Sequence, residues 1–367
     1  DSLNISATGI EEFNLCHFKF FCNSGLKLKV RRKRQIGSLE QGNLIHQCLE
    51  CVLSSCKNKE EFDKLSRNQI SKIIEKCADD YFESNMGGVI KRNARLESNL
   101  KRIKENIFKI ISHLQNELKQ SEFRPINFEF NINEKGIANL TGDNGIEIVI
   151  RGVIDRVDIY ESNGEKYIRV IDYKTGKKIF SMSSLLYGIN LQMLLYMFTI
   201  TGSGGAYSDC NPAGVLYMPS GEIVCGRDRD ESDNMEEYLN KHYKMNGVVL
   251  NDRAVLNAME KDIQGIYIPA KLLKGDTGDG ELLLNKRSSS CLTSSQFKKL
   301  RQHTEKIIID VCNELYSGNI DADPLVISGG SPCDYCDYWS VCGNVPCEKY
   351  READKNAEEK MLKIISD

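Results

Sequence analysis

The sequence predicts an α/β protein in which a central sheet is flanked by helices. Between residues 122 and 175, apolar residues alternate with polar ones, which is the period of half-buried strands. In residues 37–56 and again in residues 294–317, apolar residues recur at steps of three and four, which places them on one face of a helix. Strand patterns in the middle of the chain with amphipathic helices on either side favour a layered α/β arrangement.

Composition restricts the class of protein. The chain has 367 residues, enough for one large domain or two ordinary ones, and its 41% hydrophobic and 28% charged content is typical of globular proteins in water. The formal net charge of −3 gives no overall basic field, so any binding to nucleic acid has to come from local patches. Residues 179–208 carry no charge, but they contain too many polar residues for a membrane span, and we expect no membrane association.

The first 35 residues combine aromatic, thiol and basic side chains. Thr8 and Glu11 match a capping box, which predicts a short helix ending at Cys16. The following GLKLKVRRKR, residues 25–34, alternates apolar with basic residues and predicts a strand with one basic face. This strand is either a solvated edge protected by lysines or a surface that contacts phosphates, and both interpretations remain open. A phosphate-contacting surface would use Lys27, Lys29, Arg31 and Arg32.

The helix predicted over residues 37–56 carries His46 on its apolar stripe. A histidine there is usually a hydrogen-bonded core residue, but Gly42, one turn earlier, leaves room for a ligand and favours a binding role. Cys48 and Cys51 on the same helix are more typical of small core side chains than of a metal site. The long charged helices that follow are interpreted as a helical insertion.

Residues 150–176 predict two strands joined by an Asn-Gly turn. Asp155 lies in the first strand, and Asp172 and Lys174 lie in the second, all among β-branched residues where an unpaired charge is costly. Two acids and a lysine on adjacent strands suit phosphodiester hydrolysis: the acids hold Mg²⁺, the cation activates water, and the lysine positions that water or stabilises developing charge. The alternative is a set of structural ion pairs. We interpret Arg156 and Asp158, which flank Asp155, as supporting or surface residues.

Two later helical patterns complete the order of elements. Residues 181–201 predict a largely buried helix in which Gln192 and Tyr196 share a face, so both need hydrogen-bond partners or are simply packed there. The tail over residues 348–366 predicts a surface helix.

The cysteines favour a metal or cluster site. There are 14, and the opening DSLNISATG has no secretory hydrophobic segment, so a disulfide framework is not expected. Cys333, Cys336 and Cys342 have the C-x2-C-x5-C spacing that lets one loop wrap a metal or cluster. The fourth ligand is Cys347, in a local zinc knuckle, or Cys16, in a site that joins both ends of the domain; spacing leaves both possible.

Four short motifs follow one another along the chain and resemble the RecB-like branch of the PD-(D/E)XK nuclease superfamily. With Cys16 and the C-terminal cysteine pattern, the sequence is similar to the iron–sulfur subgroup, which includes the AddB/RexB nuclease domains of bacterial helicase–nucleases and the CRISPR-associated exonucleases. Chain length and insertions favour the AddB/RexB type, in which this module ends a longer protein. The motifs are Gly42-x3-His46, Gly152-x2-Asp155-Arg156-x-Asp158, Asp172-Tyr-Lys-Thr-Gly176 and Gln192-x3-Tyr196.

The resemblance implies a restriction-endonuclease-like core, a central mixed sheet flanked by helices, with a helical insertion and a C-terminal cluster loop. It implies that Lys174 positions or activates water and that Gln192 and Tyr196 support the site and the DNA backbone. A [4Fe–4S] cluster would act as a structural staple that shapes a DNA-binding surface. The implied Mg²⁺ or Mn²⁺ ligands are His46, Asp155, Asp172 and the backbone carbonyl of Tyr173, and the implied cluster ligands are Cys16, Cys333, Cys336 and Cys342.

The expected function is therefore a metal-dependent DNA nuclease, a single-strand exonuclease that works with a helicase partner in break repair, in the bacterial cytoplasm. The alternatives are an exonuclease of the CRISPR-associated type and a non-catalytic DNA-binding module with a structural metal site. We expect residues 1–367 to form one domain, with an N-terminal segment over 1–35, the helical insertion over 57–121, the catalytic core over 122–225, and the C-terminal helix and cluster loop over 294–347.

Overall fold

A computed structural model of the chain describes residues 2–29, 37–86, 94–132, 140–143, 145–176, 178–222, 235–273, 282–285, 290–327, 329–344 and 348–366. Its centre is a six-stranded mixed sheet formed by β2 Arg124–Asn131, β5 Val153–Ser162, β6 Glu165–Lys174, β7 Asn211–Pro219, β8 Asn246–Leu250 and β9 Cys291–Leu292. The order is β2-β5-β6-β7-β8-β9, with antiparallel pairs β2-β5, β5-β6 and β7-β8 and parallel pairs β6-β7 and β8-β9. The predicted fold class, a mixed sheet with helices around it, is confirmed.

A smaller three-stranded sheet joins the start of the chain to the strand that precedes β5. It consists of β1 Ser2–Ser6, β3 Leu140–Thr141 and β4 Glu147–Arg151 in the order β1-β4-β3, with β1 parallel to β4. The predicted hairpin is confirmed as β5 and β6, joined at Asn163 and Gly164, but its first strand begins at Val153, and Ile150 belongs to β4 of the smaller sheet. The chain changes sheets at Gly152. A separate parallel pair is formed by β10 Leu325–Val326 and β11 Arg351–Glu352.

Helices cover the main sheet and supply most of the remaining core. The helices are α1 Ala7–Leu15, α2 His17–Phe20, α3 Ser38–Ser54, α4 Lys59–Asp63, α5 Arg67–Met86, α6 Ala94–Gln120, α7 Met182–Leu185, α8 Gln192–Thr201, α9 Met235–Tyr243, α10 Arg253–Met259, α11 Ser294–Tyr316 and α12 Ala357–Ile365. Helix α3 contacts β2 and packs against α5 and α6, while α8 packs on β6 and β7 and is itself covered by α11. None of the described helices is long and apolar enough to cross a membrane.

Some local predictions were wrong. The cap of α1 is Ser6 rather than Thr8: its Oγ accepts a hydrogen bond from Gly9 N at 3.0 Å. Residues 26–29 follow a π-helical turn and lie in no strand, while 30–36, with Arg31 and Arg32, lie outside the described residues.

The single helix expected over residues 181–201 is divided into α7 and α8. Gly188 and Asn190 lie between the two helices with φ of 71° and 65°, and a continuous right-handed helix cannot include that conformation. The tail helix α12 is not fully on the surface, because Met361 and Ile365 are completely buried. Met361 and Ile365 are one turn apart and form a buried side of α12, but the many charged residues around them make the segment look like a surface helix.

Candidate metal centre

Three neighbouring strands of the main sheet present a row of acidic residues. Arg156 of β5 pairs with Ile171 of the antiparallel strand β6. One residue further along this register, Asp155 lies opposite Asp172. The register of β2 against β5 places Glu129 opposite Asp155 in the same way. Residues directly opposite on antiparallel strands point to the same face. Like charges in that arrangement repel, so the row requires a cationic partner.

His46 on α3 faces this row. Its Nε2 lies 2.8 Å from the carbonyl oxygen of Tyr173, and its Nδ1 lies 3.4 Å from Asp155 Oδ2. Burial lowers the pKa of His46, but the hydrogen bond and charge of Asp155, with the Tyr173 carbonyl, raise it to about 9. A Cβ added at Gly42 would lie 3.8 Å from Thr175, an ordinary contact distance, so steric crowding in the protein does not require a glycine at this position.

Asp172 is almost completely buried and has two polar neighbours. Lys174 Nζ lies 2.6 Å from its Oδ2, and Gln192 Nε2 donates a hydrogen bond to its Oδ1 at 3.4 Å. The lysine forms an ion contact rather than an aligned hydrogen bond, since Oδ2 satisfies no hydrogen-bond geometry. Burial and the charge of Asp155 raise the pKa of Asp172 to about 6, although Lys174 acts in the opposite direction. The charge of Asp172 therefore keeps the ammonium group of Lys174 next to its carboxylate.

Asp155 also organises the backbone of β6. Its Oδ2 accepts a hydrogen bond from the backbone N–H of Tyr173 at 2.7 Å. The carbonyl of Tyr173 accepts from His46, and a carbonyl oxygen has a second lone pair for another partner. His46, Asp155, Asp172, Tyr173 and Lys174, all expected at the site from the sequence, are thus brought together.

Helix α8 begins beside the acids. Glu11 of α1 accepts a hydrogen bond from the backbone N–H of Gln192, the first residue of α8, at 3.2 Å. This bond satisfies one donor at an end where no side chain of α8 itself provides a cap. Tyr196, one turn later, is buried, and burial raises its pKa to about 12. Gln192 contacts Asp172, whereas Tyr196 acts through packing against the start of β5.

The packing of Tyr196 explains the glycine in the motif around Asp155. A Cβ at Gly152 would lie 2.5 Å from Cε1 and Cζ of Tyr196, closer than any real contact. The ring therefore lies directly on the Cα of Gly152, where the chain passes from β4 to β5. Two motifs that are far apart in the sequence form one packing unit.

We expect Gly152→Ala to lower stability. The added methyl has to displace a buried ring, and overpacking of this kind costs about 1–3 kcal/mol. Thermal unfolding measures the loss, with Gly164→Ala as a control, since a Cβ at Gly164 meets nothing within 4 Å although its φ of 81° adds a backbone cost. The double variant Gly152→Ala, Tyr196→Phe should not restore stability, because the ring carbons remain; recovery to the parent value would contradict this packing.

Glu129 is a residue of the site that sequence reasoning missed. One oxygen of its carboxylate lies 3.9 Å from His46 Nδ1, and ligand atoms of Glu129, His46 and Asp155 all lie within 4.8 Å of one another. Burial and the charge of Asp155 raise the pKa of Glu129 to about 7. In the sequence it stands between Phe128 and Phe130 as an ordinary polar residue of an alternating strand, and only the pairing of β2 with β5 identifies it.

The donor set fits a divalent cation. Three carboxylates face one lysine and one histidine, so the described side chains leave excess negative charge in a largely buried place. Carboxylate and carbonyl oxygens are the ligands that Mg²⁺ and Mn²⁺ prefer. The residues that would hold the ions are His46, Glu129, Asp155, Asp172 and the Tyr173 carbonyl.

Arg156 and Asp158, interpreted from the sequence as supporting or surface residues, are in fact completely buried. The guanidinium of Arg156 donates to both oxygens of Asp158 at 2.7 and 2.6 Å, and Arg169 donates to Asp158 at 2.9 Å. Glu117 of α6 accepts from Arg169 at 2.6 Å and from Arg156 at 3.3 Å. We call these four residues the buried quartet. A surface position is excluded for them, and they tie α6 to the strands that carry Asp155 and Asp172.

The second predicted site lies where the two ends of the chain meet. Cys16, Cys333, Cys336 and Cys342 line one cavity of about 420 Å³, together with Trp339 and Lys19. His17 Nδ1 lies 2.8 Å from Asp323 Oδ1, which fixes α2 beside the C-terminal segment. Burial raises the pKa of the Cys16 thiol, and Cys333 and Cys336 add to this effect. Cys347, the alternative fourth ligand, lies outside the described residues.

The lysines predicted to contact phosphate lie beside this cysteine cavity. Lys27 and Lys29 are exposed, and Leu28 between them accepts a hydrogen bond from Tyr338 Oη at 3.1 Å. Tyr338 belongs to the loop that carries the three C-terminal cysteines. The basic segment and the cysteine loop therefore share one part of the surface.

Comparison with known proteins agrees with this geometry. A family model of the PD-(D/E)XK nuclease superfamily matches residues 4–343. Proteins named as the B subunit of an ATP-dependent helicase/deoxyribonuclease are similar over nearly all of this chain: 27% identity over 380 residues in Clostridium acetobutylicum, 28% over 380 in Clostridioides difficile and 32% over 371 in Clostridium botulinum strain Langeland, covering 97–99% of the chain. The chain spans about a third of the length of these relatives, 32% of each. The match over most of its length shows that the chain belongs to the PD-(D/E)XK nuclease superfamily.

Proposed function

We propose that this domain hydrolyses phosphodiester bonds of DNA with Mg²⁺ or Mn²⁺. The observation that carries the proposal is the contact of Lys174 with Asp172, in a row of acids that also includes Asp155. A cation held by these acids would polarise the scissile phosphate and lower the pKa of an attacking water. A purely structural ion pair would not need two further carboxylates, Asp155 and Glu129, in the same row on the neighbouring strands.

Each protein group has a role that follows from its position. Lys174 has 28% of its side chain exposed, so its ammonium can reach a water or a phosphate oxygen while remaining beside Asp172. Gln192 orients the other oxygen of Asp172 by its hydrogen bond. His46 bridges Asp155 and the Tyr173 carbonyl and so fixes the distance between α3 and β6. Tyr196 holds the entry of β5 in place through Gly152.

The proposed substrate is a single-stranded DNA end. The relatives are named as the B subunit of a helicase/deoxyribonuclease, and an unwinding partner would deliver one strand. We propose that the domain trims such a strand as an exonuclease in double-strand-break repair, within a helicase–nuclease complex of the bacterial cytoplasm. Exposed Lys27 and Lys29 would contact phosphates near the cysteine loop. A non-catalytic DNA-binding module would need neither the paired acids nor the lysine.

The direct test is an assay with single-stranded DNA labelled at either end. The purified protein should degrade it in Mg²⁺ or Mn²⁺ and stop in EDTA, and the order in which the two labels are released gives the polarity. Duplex and circular single strands distinguish exonuclease from endonuclease action. If the protein with its cysteine site filled is inert on every substrate with both cations, the proposed activity is wrong.

We further propose that the cysteine cavity holds a [4Fe–4S] cluster, ligated by Cys16, Cys333, Cys336 and Cys342. Four thiols on one cavity match the ligand number of such a cluster. Joining residue 16 to the C-terminal loop would staple the two ends of the domain. Zinc held by Cys333, Cys336, Cys342 and Cys347 is the competing assignment.

Removal of the cluster should be visible in tryptophan fluorescence. Trp339 is the only tryptophan of the chain and lines the cavity, so a strongly absorbing cluster next to it should quench its emission. Protein purified without oxygen should be brown, and loss of iron should increase Trp339 emission several-fold and lower the melting temperature. Cys16→Ser should reproduce the iron-free state, whereas Cys347→Ser should not. A colourless protein with one zinc, unaffected by Cys16→Ser, would refute the cluster.

A further inference from the structure

We propose that Ile179 contacts a nucleobase of the DNA strand held at the row of acidic residues on β2, β5 and β6, the acidic row. The inference rests on the proposed nuclease function and deepens it. The face of a base is accessible in a single strand, whereas in a duplex it is stacked against its neighbours. An apolar contact at this place would therefore favour a single-stranded substrate.

Ile179 exposes more of its side chain to solvent than any other aliphatic residue of the described part of the chain. Its exposed fraction is 71%, although Lys178 before it and Phe180 after it are half-buried. A lone exposed apolar residue is common on protein surfaces and by itself indicates nothing. Ile179 differs from such residues in how its backbone is held and in where it lies.

Two asparagines from other parts of the chain hold the backbone around Ile179. Asn246, the first residue of β8, donates a hydrogen bond to the carbonyl of Lys178 at 3.0 Å and accepts one from the backbone N–H of Phe180 at 3.0 Å. The buried Asn190 donates to the carbonyl of Ile179 itself at 3.3 Å. These bonds keep the segment from turning Ile179 inward. A side chain presented in this way loses little conformational freedom when it binds.

Lys178 places this segment next to the acidic row. Its Nζ lies 3.6 Å from Glu11 Oε2, and Glu11 Oε1 accepts a hydrogen bond from the backbone N–H of Gln192 at 3.2 Å. Gln192 in turn donates to Asp172 Oδ1 at 3.4 Å. The same ammonium group lies 5.9 Å from the ring centre of Tyr217, which pairs with Asp172 in the register of β6 and β7. The segment therefore borders the acidic row on its β7 side.

The surroundings of Ile179 suit a nucleic acid better than a protein partner. The core of a protein interface is an apolar patch of several residues. Phe180 packs against the core instead, and Thr175, Gly176 and Lys178 add no large apolar side chain to the surface. One apolar side chain beside a partly exposed lysine matches the alternation of bases and phosphates along a strand.

The experiment compares two single-stranded probes that carry the same charge. One is a fluorescent thymidine oligonucleotide of about 12 nucleotides, within the usual site size of single-strand binding proteins. The other has the same phosphate backbone with abasic residues throughout. Fluorescence anisotropy measures binding to protein with its cysteine site intact, in Ca²⁺, which also prefers oxygen ligands. Electrophoresis after each titration verifies that the probe is uncut.

Ile179→Ala should bind the thymidine probe at least about fivefold more weakly, because it removes apolar surface that covers a base. Its binding of the abasic probe should equal that of the parent. Ile179→Leu keeps the apolar volume and should bind both probes within about twofold of the parent. Ile364→Ala is the matched control: it shortens an isoleucine of α12 that is 43% exposed, and it should change binding of neither probe. All three variants should melt with the parent, since these side chains face solvent.

Two results would overturn the base contact. Ile179→Ala could bind the thymidine probe like the parent, or it could lose affinity equally for both probes, in which case Ile179 acts through the backbone or the fold. The proposed activity is judged separately. If the probes differ as expected but DNA remains intact in Mg²⁺ and Mn²⁺, only the nuclease function fails. If the parent cleaves DNA and Ile179→Ala binds both probes unchanged, only the base contact fails.

Discussion

Replacing Asp172 with asparagine should abolish DNA cleavage while leaving the protein folded. The amide keeps the size of the side chain and its contact with Gln192, but it removes a charge that the proposed cation and Lys174 both need. Loss of a single group that stabilises a transition state costs about 10²–10³-fold in rate. Asp172 holds both the cation and the lysine, so we expect a loss of at least about 10³-fold. End-labelled single-stranded DNA in Mn²⁺ provides the measurement.

The same substitution should raise stability in the absence of cations. Burial and the nearby charge of Asp155 raise the pKa of Asp172 to about 6, above its usual value of 3.8, so its ionised form disfavours the folded state at pH 7. The free energy of unfolding that the parent loses as the pH rises through about 6 should be retained by Asp172→Asn. In EDTA at pH 7 the variant should melt higher than the parent, and the difference should shrink toward pH 4. Excess Mn²⁺ should reverse the order, since only the parent gains the full binding energy.

Lys174→Ala and Lys166→Ala form a matched pair on the same strand. Lys174 is at the end of β6 that carries Asp172, whereas Lys166 is at the opposite end and pairs with Asp209 on the surface. Cleavage should fall by about 10²–10³-fold for Lys174→Ala and remain unchanged for Lys166→Ala. Equal activity of the two variants would show that Lys174 only neutralises Asp172.

The parts of the site that could be predicted from sequence are those with a local signal. The hairpin β5-β6 is marked by alternation and an Asn-Gly turn, and Asp155, Asp172 and Lys174 stand out as charges among β-branched residues. For His46 the signal is Gly42, one turn earlier on α3, because a position on the apolar stripe alone is typical of a core histidine. In each case the residue and the sequence pattern that identifies it lie within a single helix or hairpin.

The parts that could not be predicted depend on pairings between distant elements. Glu129 joins the site through the register of β2 against β5, and that register shifts between Pro125 and Asn127, so counting along the sequence would not have found it. Arg156 and Asp158 are interpreted from the sequence as supporting or surface residues because they flank Asp155, and nothing in the local sequence indicates that they are buried. Their partner Glu117 lies 39 residues before Arg156 on a helix whose charged pattern suggested a separate insertion.

The buried quartet should be the most stability-sensitive group of the described part of the chain. Its two arginines and two acids balance, and all four side chains are at most 1% exposed. Burial alone would raise the pKa of Asp158, but Arg156 and Arg169 lower it below its usual value, so Asp158 is charged in the folded protein. Balanced buried charges can be tolerated, whereas removal of one partner leaves an uncompensated charge in a low-dielectric place.

Asp158→Asn should therefore destabilise the fold by about 3–5 kcal/mol, because two buried guanidinium groups would share Glu117 alone. Urea unfolding monitored by circular dichroism measures the loss. Glu161 lies on the same strand as Asp158, β5, and forms an exposed pair with Arg124 of β2, so Glu161→Gln should change the free energy of unfolding little. Added salt should not rescue Asp158→Asn, since screening does not reach a group with no exposed surface. At temperatures where the variant is folded, its Mn²⁺ binding should equal that of the parent, because Asp158 contacts the two arginines rather than the acidic row. A variant that unfolds with the parent would mean that hydrogen bonds to the introduced amide replace the lost charge, and that the quartet holds α6 to the sheet by shape rather than by electrostatics.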